Sequence, residues 1–295
     1  MTRVISGNEV IENWPFRPED LAAVKGKTVV IIQAGDDSAS DIYVRNKCKK
    51  LAEYGMISRR VSFPKESVED MIKHIVFTIT QANQDPNVIG IMCQLPLYSE
   101  LKPYEGFILS AVSSEKDIDN ISDVNLGLCL ANAHREKLSG MSYVPATPRG
   151  IVHILNTIQK IEDYRGKKAV VLGRSRLVGL PIAAILQRKD LYNMTVTVLH
   201  TGSDMEDIIR YTKDADVVIA AIGNPRFVDE TMIKDGAIVI DVGTNYVDGK
   251  LVGDVDFENV APKCSAITPV PGGVGKVTVH ALMHNIIDGQ FDWIV

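Results

Sequence analysis

Ser40, Tyr43 and Lys47 stand at positions i, i+3 and i+7. In a helix of about 3.6 residues per turn they fall within about 60° of one another, so a hydroxyl, a phenol and an ammonium share one face. Gln94 follows a separate apolar run, Val88 to Cys93. If that run and the one before the helix are parallel strands, Gln94 reaches the sheet edge where open α/β folds bind ligands. The same spacing also suits a solvated face, with Lys47 snorkelling beside Arg45, Lys49 and Lys50. Gln94, ahead of Leu95-Pro96, equally suits a hydrogen bond to loop backbone. Asp117 and Asp119 lie in a polar stretch. A carboxylate there fits a site between domains, and it also fits a turn or a helix cap.

A second set of residues suits an anion. Ala169 to Leu172 is a short apolar run, followed by Gly173-Arg174-Ser175 and then by a helical pattern from Val178. Strand, tight turn and helix point backbone N–H groups and a positive dipole end at the turn, as a pyrophosphate requires. The spacing is Gly-x5-Gly rather than Gly-x-Gly-x-x-Gly, so an ordinary strand–helix corner also accounts for it. The next strand ends Leu199-His200-Thr201, without the acidic residue that holds a ribose 2′-OH. With Arg174 and Arg176 in the turn, this leans toward a cofactor carrying a 2′-phosphate; His200 itself reads as structural. Gly243 and Thr244, after a further strand, border the same edge. Thr268 to Gly275, which contains Pro271, Gly272 and Gly275, reads as a backbone wall beside a ligand or as a helix entry turn.

These groups need strands and helices to hold them. The pattern predicts strands over Thr28–Gln33, Arg59–Phe63 and Val88–Cys93, with helices over 39–54, 68–84 and 101–112. After an irregular, polar 113–143, alternation restarts. A helix over 148–159 precedes strands at 169–172, 195–199, 217–221 and 238–242, helices from 178 and over 205–212, and a closing helix over 277–287. The segment before Thr28 reads as a short, irregular lead. Strand–helix alternation implies parallel sheets covered on both faces, and 295 residues make room for two domains.

The composition excludes several functions. A formal net charge of −5 gives no basic field for nucleic acid or anionic membrane. Apolar runs stop well short of the ~18 residues of a membrane span, and no signal-peptide core is present. Cys48, Cys93, Cys129 and Cys264 are scattered, which argues against a zinc knuckle, a redox pair or a disulfide framework. A cytoplasmic protein without a metal site is expected.

Several segments together resemble one family. They are Tyr43-x3-Lys47, Gln94-Leu95-Pro96-Leu97, Lys116-Asp117-Ile118-Asp119, Pro145-Ala146-Thr147-Pro148-Arg149-Gly150, Gly173-Arg174-Ser175-x-x-Val178-Gly179-x-Pro181, Val239-Ile240-Asp241-Val242-Gly243, Gly253-Asp254-Val255 and Thr268 to Gly275. In this order they resemble methylenetetrahydrofolate dehydrogenase/methenyltetrahydrofolate cyclohydrolase, over nearly the whole chain. The resemblance implies an N-terminal three-layer α/β catalytic domain, 1–144 with 278–295. It implies a Rossmann-like nicotinamide domain with a parallel sheet over 145–277, with folate in the cleft between the two. It further implies a homodimer acting on tetrahydrofolate one-carbon derivatives with NADP, or NAD, in one-carbon metabolism and purine biosynthesis.

Carried over by position, the catalytic residues are Lys47, Gln94, Tyr43 and Asp119. Substrate contacts fall to Ser40, Tyr43, Leu95, Asp119, Pro271, Gly272 and Gly275, and cofactor contacts to Gly173, Arg174, Ser175, Thr201, Gly243 and Thr244. Oxidation of the methylene group needs alignment with the nicotinamide more than an acid or base. Hydrolysis needs proton management, for which a lysine at its reference pKa of ~10.4 is unsuited until burial lowers it. The chain departs from the family pattern at Asn120, where Gly is common, at Lys276-Val277 for Pro-Met, at Ala146 for Cys, and in a shorter lead. The alternatives are a monofunctional dehydrogenase and a non-catalytic folate- or nucleotide-binding module.

Overall fold

The computed structural model describes residues 2–36, 38–132 and 143–287; the side chains of 38–40, 42, 43 and 132 are outside the description. The chain opens with β1 (Arg3–Val4) and α1 (Gly7–Glu12), whose first turn is capped by Ser6 Oγ accepting from Glu9 N at 3.2 Å. There follow α2 (Pro18–Val24), β2 (Thr28–Gln33), α3 (Ser38–Glu53), β3 (Ile57–Ser62), α4 (Val68–Gln84) and β4 (Val88–Gln94). Next come α5 (Glu105–Ser110), α6 (Asp123–Asn132), α7 (Ala146–Ile158), β5 (Lys168–Leu172), α8 (Gly179–Leu186), β6 (Thr195–Leu199) and α9 (Met205–Asp214). The chain continues with β7 (Val217–Ala220), β8 (Ile238–Asp241), β9 (Asn245–Val247), β10 (Lys250–Val252), α10 (Phe257–Val260), β11 (Ala266–Ile267) and α11 (Val274–Ile287). Among the described residues no helix is long and apolar enough to cross a membrane.

The described chain forms two compact units. One comprises residues 16–128 with 143 and 282–287. Its three parallel strands run in the order β3-β2-β4. Val30 and Ile32 of β2 pack with Met71, Ile75, Ile79 and Ala82, which form a single stripe on α4 at helical spacing. Val29 and Ile31 are buried on the opposite face of the strand, and Val44 and Leu51 of α3 are also fully enclosed. A sheet buried on both sides explains why β2 reads as an unbroken apolar run.

The other unit comprises residues 2–15, 129–132 and 144–281. Its six-stranded sheet is parallel, in the order β1-β11-β8-β7-β5-β6. Val170 and Leu172, Val218 and Ala220, and Val239 pack with Ile208 of α9 and Val260 of α10.

The observed elements differ from the expected ones in places. The lead holds β1, which pairs with β11 in the register Arg3–Ala266 and Val4–Ile267. Residues 2–15 therefore group with 144–281 rather than with the catalytic half expected from the sequence. The helix expected over 101–112 opens as a 3-10 segment, Ser99–Tyr104, and only then becomes α5, because Pro103 has no N–H for an α-helical ladder. The polar stretch contains α6, in which Leu126, Leu128, Cys129 and Leu130 supply the apolar side.

Candidate functional site

In the three-stranded unit, β2 and β4 are neighbours whose last registered pair is Gln33–Gln94. Registered residues on adjacent parallel strands point to the same face, so both amides project toward α3. Lys47 Nζ donates to Gln94 Oε1 at 3.1 Å, and Gln94 Nε2 donates to the Leu95 carbonyl at 2.7 Å. Using both ends of the amide fixes which end faces the lysine. Gln33 makes the parallel contact about one and two-thirds turns earlier, donating from Nε2 to Asp41 Oδ1 at 2.9 Å.

Burial holds the Lys47 ammonium below the usual lysine range, opposed by the charge of Asp119 and by Cys48. Burial pushes the Asp119 carboxyl upward, opposed by Lys47. The two groups thus sense one another within a desolvated pocket of the same unit. Neutral lysine is less costly there than in water, which is what a proton-transferring amine requires.

The two candidate aspartates separate into different tasks. Asp117 is buried, its Oδ2 accepts from Ser122 N at 2.8 Å, and desolvation raises its pKa to about 6. It forms the turn. Asp119, two residues on, is the one whose charge acts on Lys47. Between them and the helix that follows, Asn120 adopts φ +56°, the left-handed conformation a glycine would supply. Its Oδ1 accepts from Asn125 Nδ2 at 3.0 Å, so the departure from the family glycine keeps the turn and adds a buried contact. Ser40 and Tyr43 lie on α3, but their side chains are outside the described part of the structure.

In the six-stranded unit, β5 leads through Gly173 into α8. Gly173 has φ +118°, and a Cβ there would sit 2.2 Å from the Ala221 carbonyl oxygen. A Cβ on Gly179 would sit 2.2 Å from the Gly173 carbonyl oxygen. The two glycines let strand, turn and helix close on one another; the Gly-x5-Gly spacing is a packing requirement of this corner. Ser175 Oγ accepts from Val178 N at 3.2 Å ahead of the first turn.

Arg174 and His200 meet at this edge. Gly202 N lies 3.1 Å from His200 Nδ1. Arg174 Nη1 lies 3.1 Å from His200 Nε2. The guanidinium, which carries donors only, is held beside the imidazole at an exposed edge where its remaining N–H groups can meet an anion. Thr201 and Thr244 are exposed, and Gly243 is buried.

Behind this edge two carboxylates gather backbone. Asp241 Oδ1 accepts from Gly243 N at 3.0 Å and from Asp254 N at 2.9 Å, and its Oδ2 accepts from Val255 N at 3.1 Å. Asp254 accepts from Ile222 N at 2.8 Å, Gly223 N at 3.0 Å and Asn245 Nδ2 at 2.9 Å. Three loops are thereby tied together at the strand ends. Desolvation raises the Asp241 pKa to about 6. Of the loop before α11, Pro271 is exposed, Gly272 has φ +107° and its carbonyl oxygen accepts from Gly7 N at 2.7 Å, and Gly275 is exposed in the first turn. Lys276 Nζ donates to Asn8 Oδ1 at 3.1 Å.

The structure thus brings Lys47, Gln94 and Asp119 together in one unit, with the Leu95 carbonyl on the amide, and Gly173, Arg174, Ser175 and Gly243 along one sheet edge in the other. Sequence reasoning missed Gln33, Asp41 and Asp254. The available signal for Gln33 was its place at the end of an apolar strand, the same place Gln94 occupies. Among the described residues no group of three or more His, Cys, Asp or Glu is placed to hold a metal ion.

Residues 9–119 match the model of the tetrahydrofolate dehydrogenase/cyclohydrolase catalytic domain, and residues 145–291 that of the NAD(P)-binding domain of the same family. The bifunctional protein FolD of Wolbachia pipientis wMel is 43% identical over 258 residues, covering 87% of this chain and 82% of the relative. The crystal structure of the bifunctional FolD methylenetetrahydrofolate dehydrogenase/cyclohydrolase from Campylobacter jejuni aligns with a TM-score of 0.81 at 33% identity, over 96% of this chain and 94% of that one. The Trypanosoma brucei methylenetetrahydrofolate dehydrogenase-cyclohydrolase, complexed with NADP and an inhibitor, aligns with a TM-score of 0.83 at 32% identity, over 97% and 96%.

Proposed function

This chain belongs to the tetrahydrofolate dehydrogenase/cyclohydrolase family, and on that premise we propose which of its residues carry each of its two reactions. It is a bifunctional enzyme. It oxidises 5,10-methylene-tetrahydrofolate to 5,10-methenyl-tetrahydrofolate with NADP, and hydrolyses that product to 10-formyl-tetrahydrofolate.

NADP, when bound, supplies the acceptor for the hydride that leaves the methylene carbon. Gly173, Arg174, Ser175, Thr201, Gly243 and Thr244 are the residues that hold it. The Arg174 guanidinium beside His200 supports a 2′-phosphate there, and the glycine corner at α8 supports the pyrophosphate.

Lys47 manages the protons of hydrolysis. Neutral Nζ accepts a proton from water as the water oxygen bonds to the methenyl carbon. The ammonium so formed returns a proton to the ring nitrogen whose bond to that carbon breaks, and the remaining hydroxyl proton leaves as the formyl carbonyl forms. Gln94 orients Nζ, and Asp119 accepts from pterin N–H groups while keeping the lysine from losing its proton outright. Ser40, Tyr43, Leu95, Pro271, Gly272 and Gly275 complete the folate contacts. In this reading 16–144 with 278–295 supply the chemistry on folate, and 145–277, with residues 2–15, hold the nicotinamide. The observation that carries it is the Lys47–Gln94 hydrogen bond with the lysine pKa lowered by burial.

The enzyme works as a homodimer in the cytoplasm and supplies one-carbon units for purine biosynthesis. Exposed Phe77 on α4 and Phe107 on α5 supply apolar surface for a second copy, and the four cysteines are free thiols, as a reducing compartment keeps them. Sedimentation of the purified protein as a monomer at micromolar concentration rejects the dimer.

The deciding experiment gives wild-type protein 5,10-methylene-tetrahydrofolate with NADP and, in parallel, NAD. NADPH forms first and 10-formyl product follows. Failure to reduce either nicotinamide overturns the reading.

A further inference from the structure

Asp41 belongs to no motif and to no assigned role, yet its carboxylate joins three elements. Oδ1 accepts from Gln33 Nε2 of β2 at 2.9 Å and from Arg60 Nη2 of β3 at 2.5 Å. Asp41 itself sits in the first turn of α3. The Gln33 hydrogen bond is the largest cause of its lowered pKa; the hydrogen bond and charge of Arg60 and the charge of Arg45 lower it further, against some desolvation. Asp41 and Arg60 are half-exposed, with side-chain exposures of 49% and 37%. An ion pair so open to water adds little to stability. Gln33, by contrast, is only 6% exposed, and its Oε1 has no hydrogen-bond partner among the described residues. A buried amide with one idle end is being used for its direction: its N–H aims at Asp41.

The register explains what that direction does. Gln33 and Gln94 are paired neighbours at the ends of β2 and β4. One grips α3 at Asp41 and the other at Lys47. The grips are six residues, or about 9 Å, apart along the helix axis, and differ by about 120° around it. A helix held at one level turns about its axis; a helix held at two levels on different faces does not. Without the upper grip, a rotation of about 10° carries a side chain at the helix surface by about 1 Å. A displacement of that size at a reacting group is enough to cost on the order of a hundredfold in rate.

We propose that Asp41, gripped by Gln33 and Arg60, is a positioning residue that fixes the rotation of α3 and thereby sets Lys47 Nζ against Gln94 for the hydrolytic step. The assignment rests on the role given to Lys47 above.

The test is Asp41→Ala, Gln33→Met, their double variant and Asp41→Asn, each assayed for both reactions with its melting temperature. Asp41→Ala lowers cyclohydrolase kcat by ten- to a hundredfold and dehydrogenase kcat by a clearly smaller factor, because Lys47 serves hydrolysis alone while the folate contacts on α3 serve both. Asp41→Asn, which keeps an oxygen for Gln33, restores the hydrolysis to within about threefold of wild type. The double variant is no slower than the worse single one, because both remove the same grip. Unchanged hydrolysis in Asp41→Ala, multiplicative losses in the double variant, or a parallel fall of both reactions with the melting temperature each overturn the proposal.

A crystal structure of Asp41→Ala reads the same grip without activity. The Lys47 Nζ to Gln94 Oε1 separation exceeds the 3.1 Å of the wild type if Asp41 positions the helix, and is unchanged if it does not. A wild-type protein without hydrolytic activity counts against the functional reading, and this distance still decides the role of Asp41.

Discussion

Arg174 Nη1 lies 3.1 Å from His200 Nε2, so a permanent cation is held against the imidazole at the cofactor edge. A dianionic phosphate gains a charge-assisted hydrogen bond from that guanidinium, and a bare ribose hydroxyl does not. Arg174→Ala therefore raises KM for NADP by about ten- to a hundredfold, the equivalent of about 1.5–3 kcal/mol for a hydrogen bond to a charged group. KM for NAD stays within about twofold. Initial-rate kinetics with the two cofactors check the difference.

The lysine makes a prediction in pH. Lys47 titrates below the ordinary lysine range because it is buried, and Asp119 opposes that shift. Cyclohydrolase kcat rises with pH as Nζ loses its proton, with a midpoint below the 10.5 of a free lysine. Replacing Asp119 with Asn removes the opposing charge, so the midpoint moves further down. Lys47→Arg, a cation that keeps its proton, abolishes the pH-dependent rate. A pH–rate profile of the three proteins gives the order directly.

Gly179 makes a steric prediction. Its added Cβ meets the Gly173 carbonyl at 2.2 Å, backbone against backbone, so the turn has to move. Gly179→Ala loses NADP-dependent oxidation by at least tenfold, while hydrolysis of added methenyl-tetrahydrofolate, which is the work of the other unit, falls by less than threefold. Parallel assays of the two steps test this.

Asp241 links the cofactor edge to stability. Its carboxyl holds a proton more tightly folded, at about 6, than unfolded, at about 3.9. Between pH 4 and 6 the unfolded chain ionises first, so this group's contribution to stability is greatest below that window and falls by about 3 kcal/mol as pH rises through it. Asp241→Asn removes this component. Its melting temperature, lower throughout because an amide cannot accept all three backbone N–H groups, changes with pH between 4 and 6 along a correspondingly shallower decline. Thermal denaturation across that window measures the slope.

Much of the site was legible. The position of Lys47 in a helical run, and that of Gln94 after an apolar run, are local features that a helix and a strand convert directly into placement. Asn120 was legible for the same reason: a left-handed turn asks little of its surroundings. Gln33 and Asp41 were not, because their meaning lies in the register between β2 and β4, which no local pattern records. His200 read as structural from the sequence, and only the fold brings Arg174 against it. The two-residue strands β1 and β11 are too short to display a period, and α6 was hidden by the polar turns on either side of it.

The pairing of β1 with β11 bears on the order of synthesis. Val4 leaves the ribosome about 260 residues before its partner Ile267, a wait of roughly 15–50 s at ordinary elongation rates. During that interval the three strands β2, β3 and β4 are all available to one another, whereas the six-stranded sheet still lacks the strand that accepts its first-made edge. The nascent chain thus acquires its proton-handling half while the nicotinamide half is unfinished, and an arrest before residue 267 leaves β1 with nothing to bind.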